Sequence, residues 1–170
     1  MSASKTLVSV EEYLSTVYQP DCDYVDGEVL ERNMAELDHS TLQGDLTGYL
    51  WMRRKEWNIT ILPEMRVQVR STRLRIPDIC VVLGTTNEQI LTKPPFLCIE
   101  ILSPEDRWSR VEERINDFIG MGVPFVWVLD PQPNKPTQLP PPKVCAKSKM
   151  ESFGQITRVS KFLSASSSLE

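Results

Sequence analysis

The 170-residue chain is poor in the residues that build metal fingers and disulfide scaffolds: it has one histidine, His39, and four cysteines with no CxxC spacing. Structural zinc sites need clustered Cys and His, so that chemistry is not expected. Cys22, Cys80, Cys98 and Cys145 are expected to be buried, reduced thiols. No apolar run approaches the roughly 20 residues that cross a bilayer, so no membrane association is expected. The opening MSASKTLVSVEEYL lacks the apolar stretch of a signal segment, which makes the cytoplasm the expected location. Also missing is a helix with the clustered Arg, Lys and Asn of a groove reader.

What is present suits one globular domain with a tail: 41% hydrophobic and 25% charged residues in an ordinary balance. The charge is uneven. Residues 133–170 hold six basic and two acidic side chains, which leaves 1–132 with a net charge of −8. An acidic body gives no global attraction for a polyanion, so nucleic-acid binding requires a local basic patch or a bound cation.

Ser9 and Glu12 stand at capping-box spacing, predicting a short helix over 9–18 with Val10, Leu14 and Val17 on one face. Asp26-Gly27 between β-favouring residues predicts a hairpin. A longer helix is predicted over 39–57, its face marked by Leu42, Leu46, Tyr49 and Leu50, with Arg53, Arg54 and Lys55 at the end that favours cations. Strands are predicted over 58–70, 76–83, 95–102 and 124–130. A helix over 106–121 lies between the last two, with Trp108, Val111, Ile115 and Phe118 on one face and Gly120 and Gly122 at its end. Apolar strands alternating with helices predict an α/β mixed sheet covered by helices.

Two carboxylates break this apolar pattern. Asp78 opens one strand and Glu100 sits inside another. A buried carboxylate is costly unless it is paired or bound to a cation. If the two strands are neighbours, the acids meet; then one takes a proton or a divalent metal sits between them. The alternative is a pair of salt bridges to arginines such as Arg73, Arg75 or Arg114.

The motifs, taken in order, resemble a known family. They are Asp26-Gly27, a helix opening with His39, Arg75-Ile76-Pro77-Asp78, Glu100-Ile101-Leu102-Ser103-Pro104, a helix, and Trp127-Val128-Leu129-Asp130-Pro131. The set is similar to the bacterial family of putative restriction endonucleases within the PD-(D/E)XK nuclease superfamily. The resemblance covers most of residues 8–132. It implies a restriction-endonuclease-like core, helix–strands–helix–strand, with a central mixed sheet flanked by helices. It implies Asp78 and Glu100 as ligands of Mg²⁺ or Mn²⁺ and as catalytic groups. The superfamily usually places a lysine two residues after the glutamate, where this chain has Leu102; the position matching the family's helix-borne lysine is Arg114. Arginine stabilises phosphate charge but is a poor general base. Asp23 matches a position where the family often has glutamate. It reads either as a third acid supporting the site or as a hairpin surface carboxylate. His39 is expected to cap its helix or support a ligand rather than bind metal directly.

Residues 8–132 are therefore expected to form the nuclease domain. The proline-, lysine- and serine-rich segment 133–170 reads as an aberrant or disordered tail. In another reading frame it can encode strand alternation, an Asp-Gly turn and a closing amphipathic segment like the family's ending, so a one-base shift near Gln132 is the favoured origin. The expected activity is metal-dependent hydrolysis of phosphodiesters in DNA, with a homodimer as the expected assembly if both strands are cut. The rival readings are an inactive nuclease fold serving as a DNA-binding or regulatory module, and a protein-interaction module whose carboxylates are structural.

Overall fold

The computed structural model describes residues 7–33 and 35–131, and the backbone of Cys145–Ala146. The chain runs α1 (Val10–Ser15), β1 (Cys22–Val25), β2 (Glu28–Glu31), α2 (Leu37–Trp57), β3 (Ile59–Pro63), β4 (Val67–Arg70), β5 (Arg73–Arg75), β6 (Ile79–Leu83), β7 (Leu97–Ile101), α3 (Trp108–Met121), β8 (Phe125–Leu129) and β9 (Cys145–Ala146). The strands form two sheets. A four-stranded sheet has the order β2-β1-β5-β4, and a five-stranded mixed sheet has the order β3-β6-β7-β8-β9. In the larger sheet β7 and β8 are parallel, joined by α3 as a crossover.

Period-two alternation divides the larger sheet between the two long helices. Leu97, Ile99 and Ile101 of β7 pack with Leu46 and Leu50 of α2. Cys98 and Leu102 pack on the other side with Val111, Ile115 and Phe118 of α3. Glu100 shares the parity of Cys98 and Leu102, and so stands on the α3 side. Each fully buried aliphatic or aromatic side chain here stabilises the fold by about 1.5–3 kcal/mol. Cys22, Cys80 and Cys98 are buried free thiols, as expected.

Local signals hold well. Ser9 caps α1 by accepting from the Glu12 N–H at 3.1 Å. Asp26 and Gly27 have φ of 50° and 96°, the positive pair that a tight hairpin turn requires. Gly122, at φ 104°, ends α3. Three expectations are corrected. In α1 the buried residue is Tyr13, whose hydroxyl donates to the Cys22 carbonyl at 2.6 Å, while Val17 is exposed. The predicted strand over 58–70 is two strands in different sheets, broken where Glu64 takes φ 51°. Arg73–Arg75, between the predicted strands and with only Arg75 read as part of a motif, is itself a strand. The readings of 133–170 as disordered or out of frame lie outside the described residues, apart from the backbone of Cys145–Ala146, which pairs antiparallel with β8. No helix among the described residues is long and apolar enough to cross a membrane.

Candidate active site

The register of β6 on β7 aligns Ile79 with Ile99. One step further along, Asp78 stands opposite Glu100. Cross-strand partners project to the same face, so the two acids converge at one end of the sheet. Both are 2% exposed.

Asp78 is held from several directions. Its Oδ2 accepts the Ile101 N–H at 2.6 Å. His39 Nε2 of α2 lies 3.5 Å from the same oxygen. Oδ1 accepts from Arg32 Nη2 at 2.5 Å. One helical turn after His39, the Gln43 amide donates to the Asp78 carbonyl at 3.0 Å. Burial raises the Asp78 pKa, but His39, Arg32 and the Ile101 amide outweigh it and hold the carboxyl below its ordinary range. The same contact with Asp78 raises the His39 pKa.

Glu100 is less well served. Arg114 Nε of α3 lies 2.9 Å from its Oε2, yet the N–H is not directed along that line and makes no hydrogen bond. Oε1 has no partner either. Burial raises the Glu100 pKa to about 7, with Arg114 opposing and Asp78 reinforcing the shift. Arg114 Nη2 also approaches Asp106 Oδ1 at 3.5 Å. Among the described residues, the buried side-chain nitrogens and oxygens without a hydrogen-bond partner are His39 Nδ1, Glu100 Oε1 and Arg114 Nε. All three belong to this cluster. Buried polar atoms are ordinarily satisfied, so their concentration at one place sets this cluster apart among the described residues.

The donor chemistry fits a hard divalent cation. Two carboxylates, with waters and phosphate oxygens completing the shell, are what Mg²⁺ commonly uses. No three His, Cys, Asp or Glu side chains among the described residues cluster as metal ligands.

Other predicted residues fall elsewhere. Asp23 is buried rather than a surface carboxylate: it accepts from Arg75 Nη1 at 3.0 Å and from the Ile76 N–H at 3.1 Å. It braces the backbone just before Pro77-Asp78. Arg73 and Arg75, considered as partners for Asp78 and Glu100, instead bind Asp26, Asp23 and Asp117. Arg114 is not an exposed helix charge; it faces Glu100. His39 sits in the first turn of α2 but does not cap it, since Glu36 is the N-cap residue. Leu102, in the usual lysine position, is packed in the α3-side core. Arg32, the partner of Asp78, is absent from the sequence expectations: it follows β2 and meets an acid 46 positions away, with no local pattern to announce it.

The fold is similar to that of a solved structure: a putative nuclease belonging to DUF820 from Anabaena variabilis ATCC 29413 superposes with a TM-score of 0.67 at 21% identity, over 82% of this chain and 85% of that one. Residues 10–152 match the model of the Uma2 family, described as putative restriction endonuclease, and the chain belongs to that family. No curated protein matches the sequence.

Proposed function

We propose that the protein is a divalent-metal-dependent endonuclease that hydrolyses phosphodiester bonds, with DNA as its substrate. The observation that carries this reading is the coincidence of two facing buried carboxylates with the unpartnered Glu100 Oε1. Asp78 and Glu100 would hold Mg²⁺ or Mn²⁺. Such an ion polarises the phosphate and lowers the pKa of an attacking water. The Ile101 N–H and His39 fix the orientation of the Asp78 carboxylate. Arg114 keeps Glu100 in place and offers its remaining guanidinium N–H groups to charge developing on the phosphate. Arg32 lies on Asp78 and must yield that oxygen when a cation binds.

The test is cleavage of supercoiled, linear and single-stranded DNA with Mg²⁺ or Mn²⁺. Asp78→Ala is expected to abolish cleavage; undiminished cleavage by that variant would falsify the assignment. A second reading has its own support: Arg32 and Arg114 already neutralise the two acids, as in a fold that has become a DNA-binding or regulatory module. Calorimetry separates the two. Mn²⁺ binding that disappears in Glu100→Ala supports the enzyme, whereas no binding, or binding indifferent to Glu100, supports the module.

A further inference from the structure

Beside the carboxylates lies a cavity of about 240 Å³ lined by four arginines, Arg32, Arg107, Arg110 and Arg114, together with Asn33 and Asp106. Two of the arginines are already engaged, Arg32 with Asp78 and Arg114 with Glu100. Arg107 and Arg110 are exposed and make no ion pair among the described residues. Arg107 is the N-cap residue of α3 and Arg110 lies in its first turn, three positions on. Of the lining acids, Asp106 is occupied: it accepts from the Ser103 N–H at 2.8 Å and the Asn33 amide at 3.2 Å. Glu31 and Glu105 also line the cavity; with Arg32 and Arg114 paired to Asp78 and Glu100, Arg107 and Arg110 are its exposed cations. The first turn of α3 holds no acidic residue, and no side chain caps it. The positive end of the helix dipole therefore adds to the arginines. In a body of net charge −8, Arg107 and Arg110 at this helix end are two exposed cations next to the carboxylate pair.

We propose that this cavity is a phosphate subsite, gripping a backbone phosphate of the nucleic-acid strand adjacent to the one presented to Asp78 and Glu100. The inference rests on the nuclease reading and adds the contact that positions the strand. Paired guanidinium forks match phosphate oxygens better than they match any neutral group. Arg107 and Arg110 are the residues free to make that contact.

The experiment uses the full chain in EDTA, so that binding is read without cleavage. A fluorescein-labelled DNA duplex is titrated by anisotropy across a range of salt concentrations, and pyrophosphate is titrated by calorimetry. The double variant Arg107→Gln/Arg110→Gln is expected to bind DNA at least tenfold more weakly. Its log K against log salt slope should shrink by about two, one for each arginine that no longer neutralises a phosphate. Its pyrophosphate binding should disappear while its melting temperature holds, since both side chains are exposed. An unchanged slope in the arginine variant overturns the subsite, and so does an unaltered protein that binds neither DNA nor pyrophosphate. The nuclease reading fails separately: if Asp78→Ala still cleaves while the arginine variant shows the reduced slope, the catalytic assignment falls and the subsite stands.

Discussion

The protein contains two buried clusters of acids and arginines, and they are built to opposite specifications. In the first, Arg75 donates Nε and Nη2 to Asp117 Oδ2 at 2.9 and 2.7 Å and Nη1 to Asp23 at 3.0 Å. Arg73 adds contacts to Asp117, Glu113 and Asp26. Every buried side-chain polar atom there has a partner, and the network ties the Asp-Gly hairpin, β5 and α3 together. In the second, Asp78, Glu100, Arg32, Arg114 and His39 meet at comparable depth, but three buried atoms remain unpartnered. Similar residues at similar burial thus give a closed fastener in one place and an incomplete shell in the other. Buried ion pairs hold a fold only when every donor and acceptor is used. On the proposed function, incompleteness, more than burial or charge, is what distinguishes the second cluster from the first.

The largest expected effect comes from opening the closed cluster. Asp117→Ala leaves Arg75 buried with only Asp23 and the half-exposed Glu113 to balance it. Removing one partner of a buried pair typically costs about 3–5 kcal/mol. Urea denaturation should show that loss, and a cost under about 1 kcal/mol would mean that the network contributes no more than surface pairs do.

Glu100→Gln, in the open cluster, should act in the opposite sense and depend on pH. The folded Glu100 pKa of about 7 lies above its ordinary 4.5. The folded state therefore holds a proton that the unfolded state releases, and stability falls as pH rises from about 4.5 to about 7. A shift of that size corresponds to a loss on the order of 3 kcal/mol across the window. The raised His39 pKa adds a loss of the same sign, common to the parent and the variant. Subtracting one pH–stability curve from the other isolates Glu100: the parent should decline more steeply than Glu100→Gln in metal-free buffer. Parallel curves would show that Arg114 compensates Glu100 fully and that the cluster is closed after all.

Much of this arrangement is legible in the sequence where it is local. The Asp-Gly turn, the Ser9 cap and the apolar face of α3 each depend on residues within a few positions of one another. The facing of Asp78 and Glu100 is legible for a different reason: acids interrupting apolar strands have few places to go, and neighbouring strands bring them together. What is not legible depends on distant pairing. The split of 58–70 turns on Glu64 adopting a positive φ, for which glutamate gives no signal. The choice of Arg32 for Asp78, and of Asp117 for Arg75, is set by how the small sheet sits against α2 and α3. Among several arginines of equal charge, composition cannot choose.

The smallest expected effect concerns Arg32 itself, and it bears most directly on whether the open cluster is open to a cation. Arg32 donates to Asp78 Oδ1 and is the one member of the cluster carried by the connection between β2 and α2. A guanidinium on that oxygen competes with any metal for it. Arg32→Gln keeps a neutral donor of similar reach and removes the charge, so Mn²⁺ affinity measured by calorimetry should rise about tenfold, or roughly 1.4 kcal/mol. Anisotropy of DNA in EDTA should move the other way, because the same side chain lines the cavity next to α3. A structural salt bridge alone predicts neither change, only a lower melting temperature. Weaker Mn²⁺ binding in Arg32→Gln would mean that this arginine organises Asp78 for the ion, and the two clusters would then differ less than their unpartnered atoms suggest.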